Sequence, residues 1–140
     1  MEKKEKKDVL EMILSGERIT RKVKTKRGMF VITFPLPRDL REIEVEVARK
    51  TEGLPAASFT KEMIASFRAY ATLDLLIIDS PEWWKKMDSA EDCPDDEFIT
   101  RLYGRYLHLY KSTQKSIDQS KFDGDDGIGK SKNAGKAMGN

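Results

Sequence analysis

The clearest match to a catalytic-type motif lies near the C-terminus. Gly124-Asp-Asp-Gly-Ile-Gly129-Lys130-Ser131 fits G-x-x-x-x-G-K-[ST], the phosphate-binding loop. In that chemistry the glycines let backbone amides approach phosphate, Lys130 reaches it, and Ser131 holds Mg²⁺. The surroundings argue against it. No hydrophobic strand precedes the motif. Only nine residues follow Ser131, and Gly135 and Gly139 among them make a poor helix. Asp125 and Asp126 would set negative charge beside the phosphate. Asp123, Asp125 and Asp126 resemble the start of a calcium loop, but Gly127 and Ile128 fill its fifth and sixth places and no glutamate closes it. Cys93 and His108, the single cysteine and histidine, would be the nucleophile pair. Cys93 precedes a proline in an acidic stretch, His108 sits between Leu107 and Leu109, and neither has a recognisable flanking motif. The carboxylates at 88–97 read as solvated charge. No catalytic residue, cofactor or metal is assigned, and the sequence is not read as an enzyme.

Binding chemistry is better represented. Charged residues make up 36% of the 140-residue chain, above the globular average of roughly 25%. Residues 1–27 hold ten basic against five acidic side chains, whereas residues 74–97 hold nine acidic against two basic. Such a dipolar chain can self-associate head to tail or meet partners of either sign. The net charge of +2 is too small to imply a nucleic-acid partner, and the basic region around Phe30 and Phe34 interleaves few aromatics. Trp83-Trp84 is the most informative apolar feature. Neighbours on a helix point about 100° apart, so one indole can enter the core while the other packs under a loop or stays partly exposed as an anchor, or both can close the core. The candidate protein-binding residues are Trp83, Trp84, Glu91, Asp92, Asp95, Asp96, Lys22, Lys24 and Arg27.

These residues must be held by an α+β chain, mostly helical, with one N-terminal β-hairpin. A charged lead-in and short helix occupy 1–17, a core domain 18–120, and a flexible Gly-, Lys- and Asp-rich tail 121–140, too poor in apolar side chains to offset chain entropy. Val9, Met12 and Ile13 recur at helical spacing until Ser15-Gly16. Residues 18–25 and 29–34 read as strands joined by Lys26-Arg27-Gly28, the first a basic, protected edge. Leu40, Ile43 and Val47 mark the inward stripe of a helix over 39–50. A longer helix follows a cap at Ser58 or Thr60. Residues 73–78 fit either an apolar extension of that helix or a short strand, and helix is favoured. Ser80 is expected as the N-cap of a short helix holding Pro81 in its first turn. An acidic loop then leads to a last helix over 94–120. The longest apolar run, Leu75-Leu76-Ile77-Ile78, falls far short of the roughly 18 residues that span a bilayer. The N-terminus has no apolar signal segment. Together with the lone cysteine, this gives the expectation of a cytoplasmic protein with no membrane partner.

Two stretches resemble a known family. Lys24–Pro37 (KTKRGMFVITFPLP) is a strand running into Pro-x-Pro, and Ala71–Trp84 (ATLDLLIIDSPEWW) is an apolar run meeting Pro-Glu-Trp-Trp. In this order, with a charged helix between them and an acidic linker and closing helix after them, they resemble the tail assembly chaperones of long-tailed bacteriophages and related tailed particles. The likeness covers about residues 20–112. It implies a non-enzymatic protein of the host bacterial cytoplasm. Such a protein binds the tape measure protein, recruits tail tube subunits, and generally leaves before the virion matures. Two other readings stand beside it: a structural component that remains in the particle, such as a tail or head-completion protein, and a small nucleic-acid-binding regulator.

Overall fold

A computed structural model describes the backbone of residues 8–123 and the side chains of residues 8–120. The proposed tail beyond Asp123, the phosphate-loop motif, and Asp125 and Asp126 lie outside the described residues. The chain forms two units: Thr20–Leu109, and the flanking stretches through Ile19 and from Tyr110. The class is α+β and predominantly helical.

In the flanking unit, helix α1 (Val9–Leu14) starts at Asp8, whose carboxylate accepts the Glu11 amide at 2.8 Å. Gly16, at φ +92°, closes it. Among the described residues of this unit, the side chains of Ile19, Thr113 and Ile117 are buried.

The larger unit opens with strands β1 (Thr20–Thr25) and β2 (Gly28–Thr33), antiparallel and in register from Thr20↔Thr33 to Thr25↔Gly28. Alternation puts Val23 opposite Phe30, both fully buried, while Lys22 and Lys24 point to the other face opposite Val31 and Met29. Helix α2 (Pro37–Lys50) begins two residues before its expected start. Proline suits the first helical position, and Asp39 reaches back to accept the Leu36 amide at 2.8 Å. Ile43 and Val47 are buried, whereas Leu40 is 40% exposed and Pro35, just ahead of the helix, is buried. Helix α3 (Lys61–Leu76) is capped by Thr60 and carries Phe67, Leu73 and Leu76 into the core.

The apolar run after α3 does not continue as helix. Residues Ile77–Asp79 form a third strand, β3, which pairs antiparallel with β2 through Ile32↔Ile77 and Val31↔Asp79. Two β-branched residues favour extended backbone, Pro81 disfavours helical φ/ψ at Ser80, and β2 offers an open edge. The sheet order is therefore β1-β2-β3, and the expected hairpin is two-thirds of a sheet. Helix α4 (Glu82–Lys85) is capped by Pro81, not Ser80, because Pro81 itself is extended, with φ −66° and ψ 160°. A 3₁₀ turn (Ala90–Asp92) follows, fastened to α3: Asp74 accepts the Ser89 hydroxyl at 2.6 Å and the Ala90 amide at 2.7 Å. Helix α5 (Asp96–Asp123) runs through both units. Among the described residues no helix is long and apolar enough to cross a membrane.

Candidate functional site

The hairpin turn is built by one threonine. The Thr25 hydroxyl donates to the Gly28 carbonyl at 2.7 Å and accepts the Arg27 amide at 3.1 Å, so the loop residues Lys26 and Arg27 are held from below. Gly28 has φ +129°, and a Cβ there would lie 2.3 Å from Cγ of Pro81. No other residue type fits that approach without displacement. The turn thus lies against the Pro81–Trp84 corner, where Trp83 donates its indole N–H to the Arg27 carbonyl at 2.8 Å.

Four aromatic rings fill this corner. Phe30 stands edge-on to Trp84 at 5.2 Å and to Trp83 at 6.3 Å, and Trp83 lies 5.7 Å from Phe98. Such edge-to-face pairs add to area burial. The tryptophans divide the work: Trp84 is buried and Trp83 half-buried. Arg27 closes the assembly from outside. Its guanidinium sits 5.7 Å from the Phe98 ring centre and pairs with Asp95 at 2.7 Å. The other Asp95 oxygen accepts the Phe98 amide at 3.1 Å, so one carboxylate caps α5 and anchors the hairpin turn.

Beside the corner, between the end of β1 and the first turns of α5, runs a groove of about 630 Å³. It is lined by Lys24, Thr25 and Lys26 from the hairpin, Lys24 at least through the backbone carbonyl that Arg105 contacts, and by Arg101 and Arg105 from α5. Phe98 and Leu102, only 7% and 1% exposed, lie beneath it. The arginines stand one helical turn apart on one face, with Gly104 in the wall between them. The Arg105 guanidinium makes a long 3.5 Å contact with the Lys24 carbonyl. Arg101 pairs with Glu97 at 2.8 Å. Lys24, Lys26 and Arg105 have no ion pair among the described residues.

The structure therefore distributes the candidate residues. Arg27, Trp83, Trp84 and Asp95 meet in the corner, where Arg27 is hydrogen-bonded to both Trp83 and Asp95. Lys24 lines the groove. Lys22 is exposed on the outer sheet face, and Asp92 and Asp96 are exposed ahead of and at the start of α5. Glu91 pairs at 2.8 Å with Lys50, whose side chain is largely covered and lies 6.0 Å from the Tyr70 ring. Burial, then the carboxylates of Asp96 and Glu91, raise the Tyr70 phenol above its ordinary value, while Lys50 opposes them. His108 is exposed and Cys93 half-buried, and no hydrogen bond among the described residues joins them. No group of three or more metal-ligating side chains occurs among the described residues.

The sequence reading missed Arg101, Arg105, Phe98, Leu102 and Gly104 as parts of one site. Their only signal was an Arg-x-x-Gly-Arg turn on a helix face, and what gives it meaning is a hairpin some eighty residues earlier. Compared with known proteins, the chain matches no family model, no curated protein and no solved structure.

Proposed function

We propose that this is a non-enzymatic assembly chaperone or adaptor that holds a segment of a longer protein against the groove between the hairpin and α5. The observation that carries the reading is the groove itself. Three cationic residues without ion pairs among the described residues line a groove above the buried Phe98 and Leu102, on elements held by the aromatic corner. Rigid placement lowers the entropic cost of binding, and a charged rim around an apolar centre is the common anatomy of a protein-binding surface.

The resemblance to tail assembly chaperones gives this reading its specific form. On that reading the partners are the tape measure protein and tail tube subunits, met in the cytoplasm of an infected bacterium. The two stretches that carry the resemblance are in contact here: Arg27 with Trp83, Gly28 with Pro81, and Val31 with Asp79. That contact supports treating them as one functional unit.

The test is co-expression with neighbouring gene products, followed by affinity capture and mass spectrometry. The wild type is compared with the Lys24→Glu, Arg105→Glu double variant. A tail protein captured by the wild type and lost in the variant, at unchanged melting temperature, supports the proposal. Equal capture by both removes the groove from it. Presence of the chain in purified mature particles favours a structural component. Retention of mixed DNA or RNA at physiological salt favours the regulator.

A further inference from the structure

Helix α5 carries a glycine where a helix is least tolerant of one. An interior glycine destabilises a helix relative to alanine, and no conformational demand requires it here, since Gly104 is not among the positive-φ residues. Packing does not require it either: a Cβ at Gly104 would meet no atom within 4 Å outside its own helix and neighbours. What lies in front of Gly104 is the groove. Absence of a side chain at this position keeps open the one stretch of wall between Arg101 and Arg105, above the buried Phe98 and Leu102.

We propose that the groove binds an acidic segment of a partner protein carrying one large apolar side chain, with Gly104 providing the clearance in which that side chain packs on the aliphatic stems of the lining lysines and arginines, above the buried Phe98 and Leu102. The inference rests on the groove being the partner surface and adds the chemistry of what enters it. Charge complementarity selects the sign. Lys24, Lys26 and Arg105 line the space with no carboxylate partner among the described residues, and lysine and arginine stems can supply apolar surface above the buried Phe98 and Leu102. Nucleic acid fits less well. The one aromatic lining the groove, Phe98, is 7% exposed and engaged by Arg27 and Trp83, so it offers no face for base stacking. A second copy of this chain offers less of this chemistry, because Glu91, Asp95 and Glu97 of its acidic stretch are paired internally and Asp92 and Asp96 are left exposed without a large apolar side chain between them.

The experiment is a titration of the full chain, by fluorescence anisotropy, with four synthetic peptides of about twelve residues. One is Asp- and Glu-rich with a central Phe, one has that Phe replaced by Ala, one is Lys-rich with the Phe, and one is neutral with the Phe. The acidic Phe peptide is expected to bind on the order of tenfold more tightly than its Ala version and than the other two. Gly104→Leu is expected to weaken that binding about tenfold or more while holding or raising the melting temperature. Gly104→Ala raises the melting temperature and weakens binding less than leucine does. Tighter binding of the Lys-rich or neutral peptide, still blocked by Gly104→Leu, overturns the acidic assignment and leaves the groove as a binding surface. Peptide binding insensitive to Gly104→Leu overturns the groove as well. Tighter binding of a dT12 oligonucleotide, or self-association abolished by Gly104→Leu, also overturns the proposal.

Discussion

Replacing Gly28 by alanine should be among the most costly single-methyl additions in this chain. Two separable effects act. Gly28 sits at φ +129°, where an L-residue is strained, for about 1–3 kcal/mol. The new Cβ would also stand 2.3 Å from Cγ and 3.0 Å from Cβ of Pro81. That neighbour is a rigid ring preceding α4, so relief requires moving backbone, and overpacking of this kind costs about 1–3 kcal/mol. The sum, about 2–6 kcal/mol, is a large share of a typical domain's 5–15 kcal/mol. The disturbance also shifts the Arg27 carbonyl, to which Trp83 donates at 2.8 Å, so tryptophan emission should move to the red. Urea unfolding followed by fluorescence and far-UV circular dichroism measures the cost. A double-mutant cycle with Pro81→Ala separates the parts. Removing Cγ and Cδ of the ring should recover about 1–2 kcal/mol of the Gly28→Ala penalty and leave the backbone strain. A Gly28→Ala cost below about 1 kcal/mol, or strict additivity with Pro81→Ala, would refute the claim that the turn is seated on Pro81.

Trp84→Ala should cost about 3–5 kcal/mol, as for other buried aromatics, whereas Trp83→Phe should cost only about 1 kcal/mol for the lost bond to Arg27. Equal urea midpoints for the two variants would contradict the division of roles between the indoles. Tyr70 should contribute to a fall in stability at alkaline pH. Its phenol is raised by burial and by Asp96 and Glu91, so the neutral form is favoured in the folded state. The stabilisation is fully present below the ordinary phenol value of about 10 and is lost as pH climbs through the higher folded value. Tyr70→Phe should therefore show a shallower loss of urea midpoint from about pH 8 to about pH 11 than the wild type, and parallel curves would count against it.

Much of the scaffold was legible because it rests on local rules. Ile43 and Val47 were placed by helical spacing, and the hairpin by a glycine at its turn. The 100° step between adjacent helical residues left open whether Trp83 and Trp84 both close the core, and here they share one aromatic cluster with Trp84 buried and Trp83 half-buried. What escaped depended on neighbours distant in sequence. Ile77 and Ile78 suit helix or strand equally as an apolar run, and only the open edge of β2 decides between them. Ser80 looked like a cap by residue type, but Pro81 is held extended beside Gly28 and the helix starts one residue later. The groove was illegible for the same reason. Its two walls come from β1 and α5, and nothing in either segment alone says that Lys24 and Arg105 face one space.

The central claim is that partners are held in the groove between the hairpin turn and α5. Hydrogen–deuterium exchange on the complex recovered from co-expression, compared with the free chain, tests it most directly. Slowed exchange concentrated in residues 24–28 and 98–106, with α2 and the 3₁₀ turn at Ala90–Asp92 unchanged, is the expected result. Protection confined to α2 and α3, with the groove segments exchanging as in the free protein, would contradict it.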